Sequence, residues 1–157
     1  MAHSFTQRRR VSFSETDLAG IMHFSNFFRW MEELEHAFYR SLGLSVHPMA
    51  HGIPDTSVGW PRMKATADYR QPLLFEEEAE VELLVAEMRT KAIRYVFRFW
   101  KNPDTPGGRT LAATGELVVV AVQATPGTRE MKSSPIPEAF RSRIEVAPAD
   151  ALNSGPV

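Results

Sequence analysis

A chain of 157 residues with 43% hydrophobic and 24% charged side chains suits one buried core, and no second composition regime appears along it. Its 18 cationic and 19 anionic side chains leave a formal net charge of −1, which argues against nucleic acid as a partner. There is no cysteine, so disulfides, thiolate metal ligands and a sulfur nucleophile are excluded, and the chemistry falls to other groups.

Residues 4–13 alternate, with Phe5, Val11 and Phe13 on one parity and Thr6, Arg8, Arg10 and Ser12 on the other, which predicts a half-buried strand. The same period of two splits Arg8-Arg9-Arg10 between two faces, so this run is no RNA patch. It is not followed by the apolar run of a signal peptide, and no segment approaches the ~18 apolar residues of a membrane span, so a soluble cytoplasmic protein is expected. From Phe27, the residues Trp30, Met31, Leu34, Phe38 and Leu42 recur at spacings of three and four. This is one apolar stripe on a helix that opens at Ser25 or Asn26 and ends at Gly43. Arg29, Glu33, His36 and Arg40 lie opposite the stripe.

Pro48, Gly52, Pro54, Gly59 and Pro61 then allow only short elements before a strand-like run from Met63 to Gln71. Three longer strands follow, over 78–89, 92–101 and 110–123, joined by the tight link Thr90-Lys91 and by a Pro/Gly turn over 102–108. They are expected as an antiparallel meander, since parallel pairing needs crossover helices that the sequence lacks. Glu138 to Ile144 is expected as a short helix opened by Pro137. The chain is therefore expected to be one domain over residues 1–146, with a flexible tail over 147–157. One long helix and a run of antiparallel strands imply an α+β fold in which the sheet curls around the helix to cover its Phe/Trp/Met/Leu stripe.

Between the first strand and the helix, Asp17 precedes Gly20 and stands too far before Ser25 to cap the helix, for which Ser25 is the natural residue. A carboxylate beside a helix N-terminus suits hydrolysis, because free N–H groups and the positive dipole end favour a developing oxyanion. The pattern Arg10-Val11, four residues, Thr16-Asp17, two residues and Gly20-Ile21 continues through His23-Phe24, Phe27 and Trp30 to Tyr69-Arg70-Gln71-Pro72. Over roughly residues 5–143 it resembles the 4-hydroxybenzoyl-coenzyme A thioesterase-like family of hot-dog-fold acyl-CoA thioesterases. Met22 stands where that family usually has valine, and Phe27 where it usually has tyrosine.

The resemblance implies a hot-dog fold and hydrolysis of an acyl-CoA thioester. Asp17 would act as nucleophile or general base, the backbone amide of Phe24 would hold the oxyanion, and Gly20 would provide a tight turn. It also implies cations near the coenzyme A phosphates, for which Arg89 and Lys91 flanking Thr90 are the candidates, and a homodimer or homotetramer whose sites draw on both chains. Coenzyme A would be part of the substrate, so no cofactor is expected. Two alternatives remain: a non-catalytic module that binds an acyl thioester or a protein, and a hydrolase acting on acyl carrier protein thioesters.

Other residues weigh less. His23 would orient substrate or water, although a histidine in an apolar setting is more often structural. Glu35 is the substitute carboxylate on the helix, against a plainer reading as a flanking surface charge. Glu33 and His36 form one Glu-x-x-His where a di-iron bundle needs two, and His47 and His51 are interrupted by Pro48, so no metal site is expected. Trp60 and the Ile53 to Met63 region would line an acyl pocket or pack in the core.

Overall fold

The computed structural model describes residues 1–46, 58–125, 128 and 130–154. His47, His51 and residues 53–57 of the suggested acyl-pocket region lie outside them. Strand β1 (Ser4–Arg10) leads to a 3-10 turn (Phe13–Glu15) and helix α1 (Ser25–Ser41). Strands β2 (Arg62–Tyr69), β3 (Glu78–Met88), β4 (Ala92–Lys101) and β5 (Thr110–Val120) follow, then the short hairpin β6 (Val122–Ala124) and β7 (Met131–Ser133). Helices α2 (Glu138–Arg141) and α3 (Ala149–Asn153) close the chain.

The five long strands form one antiparallel sheet in the order β1-β3-β4-β5-β2. The central meander matches the sequence expectation, while β2 lies beside β5 as an outer strand. Because α1 keeps its apolar residues on one stripe, Phe27, Trp30, Met31, Leu34 and Phe38 are all buried, against Val81, Leu83, Val85, Tyr95, Phe97 and Phe99 on the concave sheet face. Gly43 takes φ +68° just past the helix end. Among the described residues no helix is long and apolar enough to cross a membrane.

Three local expectations are corrected. Phe13 does not continue the inward face of β1: Glu15 accepts the Ser12 N–H at 2.8 Å, the chain turns, and Phe13 is 78% exposed. The strand expected over 110–123 ends at Val120, and β6 pairs separately with β7. The tail expected from residue 147 instead carries α3 across the convex face of the sheet. Arg98, 5% exposed on β4, donates to the carbonyls of Ala151 and Leu152, and the Ala147 N–H bonds Val85 O. Composition missed this segment because its anchor is a distant buried arginine.

Glu35 is the fourth correction, for it is 0% exposed rather than a surface charge. It pairs with Arg62, accepts from the Tyr39 hydroxyl at 3.2 Å, and Tyr39 in turn meets the Tyr95 hydroxyl at 2.7 Å. Burial pushes the Glu35 carboxyl from 4.5 up to about 7, while Arg62 and Tyr39 pull it back down. Between those values the folded chain holds a proton that the unfolded chain has released, so the contribution to stability is complete below the unfolded pKa and is lost as pH rises through about 7. The melting temperature of the native protein is expected to fall by several degrees from pH 5 to pH 8, about 3 kcal/mol for this group, with a flatter profile in Glu35→Gln. Equal slopes in the two proteins, measured by scanning calorimetry, would remove Glu35 as the cause.

Candidate active site

Asp17 opens a tight turn between the end of β1 and α1. Its N–H bonds Ile21 O at 3.0 Å, the Gly20 N–H bonds Asp17 O at 3.0 Å, and Thr16 bridges to Met22. Gly20 sits at φ +75°, a conformation that costs a side-chain-bearing residue energy, so its part in the site is to close this turn. The Asp17 Oδ1 accepts the Ala19 N–H at 2.8 Å, which orients the carboxylate. Met22 donates to Leu73 O and Ile21 bridges to Leu74, tying the turn to the segment after β2.

The chain then enters α1 with Phe24 already helical, at φ −51° and ψ −33°, so Phe24 rather than Ser25 holds the N-cap position. The Phe24 side chain makes no capping hydrogen bond. The Ser25 N–H points to His23 Nδ1 at 3.3 Å, and that nitrogen also meets Ser25 Oγ at 2.8 Å, which gives His23 a structural task. Among the described residues no acceptor takes the Phe24 N–H. It stands at the positive end of a 17-residue helix, where an anionic oxygen is favoured.

Asp17 and Phe24 line one groove of about 450 Å³ together with Ile21, Met22, Phe27 and Tyr69, with Arg70, Gln71 and Pro72 completing the wall. The Tyr69 hydroxyl donates to Phe24 O at 3.1 Å and its ring meets Phe27 edge-on at 5.0 Å. Burial pushes the Tyr69 phenol above its usual pKa of 10, so it remains a donor at neutral pH. The groove thus places Asp17 and Phe24, the residue that opens the helix, along the same mostly apolar walls, where electrostatic interactions gain strength.

The remaining candidates lie elsewhere in the protomer. Trp60 is 6% exposed and packs on Tyr39 and Phe140 near the Arg62 end of β2. Arg89 and Lys91 occupy the β3–β4 turn, separated from the Asp17 end of the sheet by the 11 residues of β3, about 30 Å of strand. Arg89 is paired with Glu87, and Lys91 reaches Ser133. Glu35 is 11 positions beyond Phe24, about 16 Å along the helix, and does not line the groove. Two residues escaped the sequence reading. Tyr69 was legible only as part of a motif, and Glu15 carries only the Ser12-x-x-Glu15 capping-box spacing, which says nothing of its bond to Trp30. Among the described residues no cluster of three or more His, Asp or Glu side chains is arranged to hold a metal ion.

The thioesterase-like superfamily model matches residues 11–144. The chain is 28% identical over 109 residues to the 4-hydroxybenzoyl-CoA thioesterase of Pseudomonas sp. (strain CBS-3), covering 69% of this chain and 74% of that one. It is 29% identical over 103 residues to a 1,4-dihydroxy-2-naphthoyl-CoA hydrolase of Prochlorococcus marinus (strain NATL1A), covering 63% and 69% of the two chains. The crystal structure of a 1,4-dihydroxy-2-naphthoyl-CoA thioesterase from Synechocystis superimposes with a TM-score of 0.76 at 19% identity, over 89% of this chain and 94% of that one, a likeness of fold.

Proposed function

The chain belongs to the thioesterase-like superfamily, and from that premise we propose that it hydrolyses an acyl-CoA thioester to the free acid and coenzyme A. The observation that supports the reading is one groove lined by both Asp17 and Phe24, the residue at the start of α1. Asp17 either attacks the thioester carbonyl carbon, giving an acyl-aspartyl anhydride that water then cleaves, or takes a proton from the water that attacks. In both routes the carbon–sulfur bond breaks, the thiolate leaves and takes up a proton, and the carbonyl oxygen gathers negative charge. The Phe24 N–H and the helix terminus would hold that charge, a contribution of ~3 kcal/mol per donor in comparable sites. The relatives that act on 4-hydroxybenzoyl-CoA and 1,4-dihydroxy-2-naphthoyl-CoA support coenzyme A as the carrier.

The working unit in this reading is a homodimer, or a homotetramer built from two such dimers. Strand β2 ends the sheet with Met63 69% and Tyr69 47% exposed, whereas the other outer strand, β1, presents Arg8 and Arg10 in ion pairs. An outer strand with an unpaired edge favours pairing with a second copy. Two β2 strands related by a two-fold axis run antiparallel, so the Tyr69 end of one meets the Arg62 end of the other. That arrangement would carry the partner's β3–β4 turn, with its basic side chains, toward the Asp17 groove.

Thiol release should be measured from a panel of aryl- and alkyl-CoA thioesters and from the matching acyl carrier protein thioesters. Turnover is expected with at least one coenzyme A substrate and not with its carrier protein counterpart. Preference for the carrier protein would redirect the substrate assignment. Binding by calorimetry without turnover would instead identify a non-catalytic module.

A further inference from the structure

We propose that Glu15 is the positioning residue that holds Asp17 in register with the Phe24 amide, an inference that rests on reading their shared groove as the thioester site. Glu15 does not line the groove, and its partners flank Asp17 on one side and Phe24 on the other along the chain. Its Oε1 accepts the Trp30 indole N–H at 2.7 Å, and its Oε2 accepts the Ser12 N–H at 2.8 Å. Its backbone carbonyl accepts the His23 N–H at 2.8 Å and the Asn26 side-chain amide at 2.7 Å. One residue, two places before Asp17, therefore ties the end of β1 to the peptide preceding Phe24 and to the first two turns of α1.

The indole partner is fixed in the core. Trp30 is 0% exposed in the core, and the Arg9 guanidinium stacks 4.7 Å from its ring centroid while approaching Glu15 Oε1 at 3.7 Å. Arg9 also pairs with Glu33 on the outer face of α1. The Glu15 carboxylate thus connects β1 to the helix through an ion pair and a buried indole, and the Asp17 turn hangs between them. Only a group with two acceptor oxygens satisfies both Ser12 and Trp30. A glutamine has one, and its amide would set a donor against the remaining N–H.

A shift of the carboxylate by about 1 Å from the amide that stabilises the oxyanion is enough to slow a reaction 10²-fold or so without altering what the groove binds. Glu15→Gln is therefore expected to lower kcat about 10–100-fold with KM within about 3-fold of the native value. Trp30→Phe, which keeps the ring and deletes the indole donor, is expected to reproduce the loss, and Glu15→Gln with Trp30→Phe to cost little more than either alone. Placed on Asp17→Asn, Glu15→Gln is expected to add nothing. The companion readout is amide hydrogen exchange, which should quicken in residues 16–24 of Glu15→Gln and stay native in β3–β5.

Native kcat in folded Glu15→Gln and Trp30→Phe would overturn the proposal. So would exchange that quickens equally through the whole sheet, since that marks a general loss of stability. If the native protein cleaves no thioester, the functional reading falls by itself, and the exchange pattern alone decides whether Glu15 holds the turn.

Discussion

Asp17→Asn is expected to lower kcat for thioester cleavage by about 10²–10⁴-fold, with little change in KM or melting temperature. Asparagine keeps the shape of the side chain and retains a carbonyl oxygen to accept the Ala19 N–H, so the turn closed by Gly20 should survive. What it loses is the anionic oxygen, and neither the nucleophilic nor the general-base route proceeds without one. The other titratable groups nearby offer no substitute, because His23 is committed to Ser25 and Glu35 is buried with Arg62 and Tyr39 outside the groove. Thiol release under saturating substrate checks this, and native turnover in the variant would remove Asp17 from the reaction.

Replacing both Arg89 and Lys91 with alanine is expected to raise KM for a coenzyme A substrate about 10–100-fold, leave kcat within a few-fold, and flatten the dependence of KM on salt. Both side chains sit on the exposed β3–β4 turn, at the end of the sheet remote from Asp17. They reach the substrate only if a second copy pairs along β2. Mixing therefore gives the sharper result. Asp17→Asn chains and Arg89→Ala/Lys91→Ala chains, each impaired alone, should on random reassociation restore native kinetics to about a quarter of the sites. Half of the dimers are then mixed, and one of the two sites in each has an intact Asp17 facing intact basic residues. No recovery in the mixture would place the phosphates elsewhere.

Much of the fold was legible because it follows from periodicity. The three- and four-residue spacing from Phe27 to Phe38 specifies a helix with one buried side, and Gly43 marks its end. Alternation and short turns likewise specify the β3–β4–β5 meander. What escaped depends on partners distant in sequence. Helix α3 is anchored by Arg98 about 50 positions earlier, and β2 finds β5 across an equal interval. Glu35 lies next to the apolar stripe, and nothing local shows that Arg62 and Tyr39 are waiting to accept its burial.

The candidate site divides along the same line. Asp17, Gly20 and the helix entry are local, so one segment of sequence displays them together. Tyr69 reaches Phe24 across 45 positions, and it brings a phenol beside Phe27, the position where the resembled family usually has tyrosine. His23 is ambiguous in sequence because its role depends on which way the ring turns, and in the fold its Nδ1 faces Ser25. For Arg89 and Lys91, charge, turn position and the resemblance carry no information about which subunit's site they face.

The most direct measurement is a crystal structure of Asp17→Asn holding an uncleaved acyl-CoA thioester. The thioester oxygen should lie about 3 Å from the Phe24 nitrogen, with the carbonyl carbon beside the side chain at position 17. A thioester seated with its carbonyl turned away from both groups would contradict the assignment of this groove.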